Sequence, residues 1–315
     1  MGGALDPTVA TARRAVRVTL ADLEPGARVV VGVSGGADSL ALAAVTAFVA
    51  DRAAWELAAV VVDHGLQAGS DEVASRAVRQ LTGLGVRASV VTVEVGRQGG
   101  MEAAARDARR AALAATGAEA VLLAHTLDDQ AETVLLGLGR GSGPRSISGM
   151  AAVDGRWRRP FLGLRREQTE QICRASGLDW WSDPHNQDPS FRRSRLRHEV
   201  MPLLEDVLGG GVAEALARTA DLVRADSAWL DAQVAAPAHP VDIAALLAMP
   251  APLRTRALRL AALAAGASEL SARHVLALDA LVTDWRGQTR VELPGGVCAT
   301  REGASLRFAA TPVAG

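Results

Sequence analysis

Residues 30–42 read VVGVSGGADSLAL, and the fold turns on how that stretch is interpreted. An apolar, β-branched run stops at Val33, SGGADS turns the chain, and an apolar helical pattern starts near Ser39. A strand so continuously apolar is buried on both faces, the habit of parallel sheets covered by helices. Outward from it the same alternation recurs. Strands are expected at 28–33, 57–63, 88–95 and 120–124, with helices at 38–51, 71–83, 101–116 and 127–138. This order gives an α/β fold with a doubly wound parallel sheet. Ligands of such sheets sit beyond the carboxyl ends of the strands, so the residues just after each strand are the ones to read for chemistry.

SGGADS is the first such place. Gly35 and Gly36 have no side chains, so their backbone N–H groups can crowd an anion together with that of Ala37. Ser34 and Ser39 add hydroxyls, and the helix that follows directs its unpaired N–H groups at the same point. A phosphate or pyrophosphate is the natural guest. Asp38 is out of place beside a polyphosphate unless Mg²⁺ lies between them, which would make it a metal ligand. The plainer alternative is a tight turn in which Asp38 or Ser34 caps the helix.

The chain has 315 residues and a mass of 32.7 kDa, which fits two domains. All 34 basic residues are arginine, tyrosine is absent, and alanine makes up roughly a fifth of the chain. Without lysine there is no GxxxxGK[ST] phosphate loop, no kinase β3 lysine and no pyridoxal Schiff base. The longest apolar run, 40–50, is too short to cross a bilayer, and the N-terminus lacks a secretory pattern, so a cytoplasmic protein is expected. Cys173 and Cys298 form no CxxC pair, which argues against a disulfide framework, a zinc site or a paired-thiol sulfur relay.

The net charge of −1 hides segregation. Residues 140–200 carry 12 arginines against 7 acids, whereas the flanking parts are acidic. RWRRPFLGLRR (156–166) and FRRSRLRH (191–198) interleave arginine with Trp157, Phe161 and Phe191, as an RNA contact surface would, although a solvated charged face would look the same. A boundary is expected near 205–212. It divides an N-terminal domain, 1–205, from a mainly helical C-terminal domain, 212–315, which ends in a small hairpin turning at PGG (294–296).

A second chemical edge follows the fourth strand in AHTLDDQAET (124–133). His125 sits at the strand end, and Asp128, Asp129 and Glu132 occupy the first helical turns, with Asp128 and Glu132 sharing a face. Acids there commonly serve the helix dipole. Facing SGGADS across the sheet edge, they become candidate ligands for Mg²⁺ or a substrate ammonium. Asp63-His64 ends the second strand on the same edge, and Arg106, Arg109 and Arg110 project from the helix after the third.

SGGADS resembles the SGGxDS signature of the PP-loop (N-type) ATP pyrophosphatases, which cleave ATP between its α- and β-phosphates and need no Walker lysine. Further segments, in order, are VDHGLQAGS (62–70), GMEAAARDARRAAL (100–113), LLAHTLDDQAETVLLGLGRGSG (122–143), RRPFLGLRREQTEQIC (158–173), WWSDPHNQDPSFRRSRLRHEVMPLL (180–204) and LPGG (293–296). Together they resemble the tRNA(Ile)-lysidine synthetase family over most of the chain, in its short form. The resemblance implies that ATP binds on Ser34–Ser39, with Mg²⁺ on Asp38 and Asp129. The C2 oxygen of the wobble cytidine (position 34) in a CAU-anticodon tRNA(Ile) would then attack the α-phosphorus and release pyrophosphate. The ε-amine of free lysine would attack C2 and expel AMP, changing decoding from AUG to AUA. It further implies catalytic roles for Asp38, Asp129 and Arg195, tRNA contacts from Arg193, Arg195 and Arg197, a lysine site at Asp128 and Glu132, and a homodimer.

Three positions depart from the family pattern: Ser194 where asparagine is usual, Phe191 where tyrosine is, and Gln67 where arginine often stands. Three rival readings fit the sequence less well. A tRNA thiolase of the same superfamily needs cysteines that Cys173 and Cys298 do not supply. A small-nucleotide amide synthetase leaves the basic island unexplained, and a non-catalytic nucleotide- or RNA-binding module would not need SGGADS together with Asp129.

Overall fold

The computed structural model describes residues 6–65, 69–93, 101–141, 143–183, 187–287 and 290–311. Gln67, the end of the expected third strand (94–95) and residues 184–186 of the SDPHNQD segment lie outside them. The chain forms two compact units, Met1–Glu132 with Met150–Ala217, and Thr133–Gly149 with Arg218–Gly315.

In the first unit, Asp6 caps helix α1 (Pro7–Thr19) by accepting the Thr8 and Val9 N–H groups. The sheet is then built from β1 (Arg28–Val33), β2 (Glu56–Asp63), β3 (Arg87–Thr92) and β4 (Ala120–Leu122), with α2 (Ala37–Ala53), α3 (Ser70–Gly83) and α4 (Met101–Ala114) as crossovers. A short pair, β5 (Val153–Asp154) and β6 (Trp157–Arg158), extends it to the order β3-β2-β1-β4-β6-β5. All pairings are parallel except β5 with β6. The strand order reverses between β1 and β4, so α2 and α5 (Leu127–Gly139), which follow those strands, open from the crevice at the switch point. Val29, Val31, Leu40, Leu42, Phe161 and Ile172 are fully buried in one apolar core, which also holds α7 (Arg166–Ala175) through Ile172 and Cys173.

The expectation of four doubly buried strands fails at one of them. β3 is an edge strand, with Ser89 and Val90 exposed, because it pairs only with β2 and the chain crosses to the far side of β1 for β4. Later in this unit come α8 (Arg192–Arg195), a π-helical turn at Leu196–Val200, and α9 (Met201–Val207), after which α10 (Val212–Ala232) begins. Pro202 has no N–H to give the carbonyl four residues back, a ready cause for the widened turn before it.

The second unit contains α6 (Pro144–Ile147), α11 (Ile243–Leu247), α12 (Ala251–Ala264) and α13 (Ala272–Thr283). Asp242 caps α11, and Ser271 with His274 forms a reciprocal cap on α13. Its strands correct the expectation of a mainly helical domain with a hairpin. β7 (Val241–Asp242), β8 (Val291–Leu293), β9 (Val297–Glu302) and β10 (Ser305–Ala310) make a four-stranded antiparallel sheet in the order β7-β10-β9-β8. Two of these strands are too short to show a period of two, and β7 joins from far upstream, pairing Val241 with Leu306. The sheet and helices share a core that includes Leu258, Leu278, Leu281, Ala299, Leu306 and Phe308. Among the described residues, no helix is long and apolar enough to cross a membrane.

Candidate active site

The turn after β1 is closed by its own polar groups. The Ser34 N–H donates to Ser39 Oγ at 3.1 Å, and the Ser39 hydroxyl donates to the Gly36 carbonyl at 2.9 Å. Gly35 has φ +83°, and a Cβ there would lie 2.8 Å from Val73 Cγ1, so only glycine suits the position. The Gly35 carbonyl accepts the Trp181 N–H at 3.0 Å. The cap residue of α2 is Gly36, which has no side chain to accept from the first N–H groups of the helix. The alternative in which Asp38 or Ser34 serves as the cap is therefore overturned. The first-turn N–H groups of a seventeen-residue helix stay available to an anion.

Asp38, one residue into α2, is instead tied to α7. Its Oδ1 accepts the Thr169 hydroxyl at 2.5 Å, and its Oδ2 lies 3.5 Å from Arg166 Nη2. The same Nη2 lies 3.3 Å from Asp129 Oδ1. Carboxylates that follow two different strands thus meet on one guanidinium. Asp129 is aimed by its own turn, its Oδ2 accepting the Thr126 N–H at 2.8 Å and the Thr126 hydroxyl at 3.1 Å. Burial raises the Asp38 carboxyl above the usual carboxylate range despite Arg166. Burial also opposes ionisation of Asp129, but Arg166, the Thr126 N–H, His125 and Arg197 outweigh it and hold that group low.

Glu132, only 1% exposed, is bound by Arg197, whose Nε donates to Oε1 at 2.8 Å, and lies 3.7 Å from Arg193. Burial raises its carboxyl. Asp128 does a different job. Its Oδ2 accepts the backbone N–H of Arg166 at 2.8 Å, serving the start of α7 from another helix, while Oδ1 lies 3.4 Å from Arg165. Arg165 is further paired with Glu214 and Glu205. A cleft of about 420 Å³ opens here, lined by Asp128, Glu132, Arg166 and Arg197 with Glu167 and Glu205 beside them.

The structure therefore gathers Ser34 to Ser39, Asp38, Asp129, Glu132, Arg193 and Arg197 around the switch point. Arg195 is not among them. It lies between Arg193 and Arg197 on the opposite face, exposed, with its guanidinium on Glu199 at 2.8 Å. The basic island is likewise not one open surface, because Arg158 is buried on Asp22 at 2.6 Å and Arg165, Arg166 and Arg197 are spent on internal acids. Phe191 is half-buried and Ser194 is buried. On the histidine edge, His125 Nδ1, His64 Nδ1 and Arg109 Nε are buried without a hydrogen-bond partner. Burial lowers the His125 imidazole to about 4 and lowers His64 as well, in the latter case with help from Arg109. Arg106 and Arg110 point to other work, on Asp107 and on the Trp157 ring. Both cysteines are free and buried, and burial pushes the Cys173 thiol up to about 12. Among the described residues, no group of three or more His, Cys, Asp or Glu side chains forms a metal cage.

Sequence reasoning missed Arg166 as the hub and Thr169 as the partner of Asp38. The available signal was the spacing 166, 169, 173, one face of a single helix.

A parallel sheet with a glycine turn at its switch point and an uncapped helix behind it defines a PP-loop nucleotide-binding domain, and residues 8–204 match the PP-loop domain family. A solved structure with this fold, the U34-tRNA thiolase NcsA from Methanococcus maripaludis with its [4Fe-4S] cluster, superposes with a TM-score of 0.58 at 18% identity, covering 69% of this chain and 80% of that one. Residues 242–306 match the TilS substrate binding domain. The chain is 53% identical to the tRNA(Ile)-lysidine synthase of Thermobifida fusca, over 92% of this chain and 94% of the relative. It is 50% identical to that of Rhodococcus erythropolis, over 96% and 94%, and 54% identical to that of Streptomyces coelicolor, over 88% and 84%. The chain belongs to the tRNA(Ile)-lysidine synthase family, and its activity is that of an ATP-dependent ligase.

Proposed function

We propose that residues 1–205 carry out the ligation and residues 212–315 bind tRNA, with a CAU-anticodon tRNA(Ile) and free L-lysine as substrates, in the cytoplasm and as a homodimer. The ATP phosphates lie on the backbone of Ser34, Gly35, Gly36, Ala37, Asp38 and Ser39, at the open end of α2. The observation that carries the reading is the convergence of Asp38 and Asp129 on one cation, Arg166 Nη2, at 3.5 and 3.3 Å. A pair of carboxylates that shares a guanidinium fits a shared Mg²⁺, and these two residues are the ones to hold it. Such an ion would offset triphosphate charge next to Asp38.

In the first step the wobble cytidine C2 oxygen bonds to the α-phosphorus as the bond to pyrophosphate breaks. In the second the lysine ε-amine bonds to C2, loses a proton, and AMP leaves with the oxygen. The protein's part is to orient the reactants and to stabilise the charge that develops on them. Glu132 receives the lysine ammonium, and Asp128 fixes the wall beside it. His125, His64 and Arg109, buried with unused nitrogens, supply polar contacts to a bound base or nucleotide. Of the three arginines expected to hold the anticodon loop, Arg195 faces solvent and Arg193 stands beside it to make the contact, while Arg197 stays on Glu132 and Asp129.

The test is incubation of the protein with ATP, Mg²⁺, labelled lysine and a CAU-anticodon tRNA. The expected result is acid-stable label on the RNA with one AMP released per label. ADP as the product, or an unlabelled RNA, would overturn the reading.

A further inference from the structure

Three residues on one face of α7 engage two consecutive residues of the phosphate turn. Arg166 reaches Asp38 Oδ2 at 3.5 Å, Thr169 donates to Asp38 Oδ1 at 2.5 Å, and the Cys173 thiol donates to the Ala37 carbonyl at 3.3 Å. Thr169 is fully buried, and its Oγ1 also lies 2.7 Å from the Arg166 carbonyl one turn back. A hydroxyl has one proton, so only one of these two acceptors is served at a time. The bond to its own helix would by itself satisfy a buried threonine. The contact with Asp38 is therefore additional, and it fixes which carboxylate oxygen is held by the hydroxyl and which is turned toward the point, now occupied by Arg166 Nη2, that Asp38 shares with Asp129.

We propose that Thr169 is a positioning residue for ATP use, holding Asp38 Oδ1 so that Oδ2 stays turned toward the point it shares with Asp129. The inference rests on the reading of Asp38 as the residue beside the phosphates.

The experiment measures AMP release by the full-length enzyme with ATP, lysine and CAU-anticodon tRNA, varying ATP. Thr169→Val keeps the shape and removes the proton. It is expected to raise the KM for ATP roughly tenfold, the scale of a lost hydrogen bond to a charged group, with kcat and the KM for lysine near wild type. Loss of folded enzyme would lower kcat instead. Thr169→Ser should restore the KM to within about twofold. A wild-type KM in Thr169→Val, or a serine variant as impaired as the valine one, would each overturn the inference. Asp38→Ala separates the two layers. Continued AMP release in that variant sinks the reading of Asp38 itself, whereas a dead Asp38→Ala beside a normal Thr169→Val sinks only the role of Thr169.

Discussion

The crevice edge of the first unit and the antiparallel sheet of the second are both buried, but they are buried differently. Around Leu258, Leu278, Leu306 and Phe308 the second unit hides apolar side chains, and its partly buried charges sit in satisfied pairs such as Arg254 with Asp279 at 2.7 Å. The crevice edge hides three carboxylates, several arginines and two histidines, and it leaves His64, His125, Arg109 and Arg166 each with a nitrogen unpartnered. One region is arranged for folding free energy, while the other gives some of it up to keep polar atoms ready. Stability and activity should therefore respond oppositely to substitutions in the two places.

The largest effect is expected from Asp38→Asn. AMP release should fall about a thousandfold, or roughly 4 kcal/mol of transition-state stabilisation. The melting temperature should hold or rise, because a carboxylate whose ionisation burial opposes has been removed. A variant that melted earlier while keeping its activity would erase the contrast. Leu278→Ala, at a site with no exposure, should do the reverse, costing about 2–5 kcal/mol of stability while the folded fraction keeps its turnover; denaturant unfolding followed beside the assay checks both.

Next comes pH. Folded His125 stays neutral down to about 4, whereas the unfolded imidazole takes a proton near its ordinary 6.5, so the folded state loses stability as pH falls through that window. The loss is at most about 3 kcal/mol, and between pH 7.5 and 5.5 only its upper part is drawn on. His125→Gln should flatten the fall in melting temperature over that range, and an unchanged slope would show that the imidazole is not the cause. The smallest effect is expected for Arg195→Gln. The exposed pair with Glu199 is screened by solvent and contributes little to stability, so melting should barely move, while the salt slope of tRNA binding drops by about one. Neutralising Arg193 as well should lower the slope further, and no change at all would mark the segment as a solvated face.

The central strands were legible because burial on both faces writes itself as unbroken apolar text, as in Val29 to Val33. The phosphate turn was legible because glycine and serine have few other reasons to stand together there. The exposed face of β3 was not, since ASVVTVEV looks the same whether or not a further strand lies beside it. Nor was the sheet of the second unit, whose strand β7 has two residues and finds its partner across more than sixty. Within the site, Asp129 and Glu132 were read as candidate ligands, but Arg166 and Thr169 passed as part of a polar helix. Their role depends on which face of α7 meets α2, and the spacing 166, 169, 173 marks a shared face without saying what it packs against. Arginine clusters misled for a related reason: counting charge does not reveal that Arg158 and Arg197 have already found acids far along the chain.

Arg166 joins the two halves of the crevice through different parts of one residue. Its backbone N–H is fixed on Asp128, and its side chain spans Asp38 and Asp129. The chain leaving β1 and the chain leaving β4 are thus geared to one another at a single point. A ligand that draws one carboxylate away from that guanidinium leaves the other as its remaining acidic contact, so charge arriving on one side of the crevice is felt on the other through a single side chain.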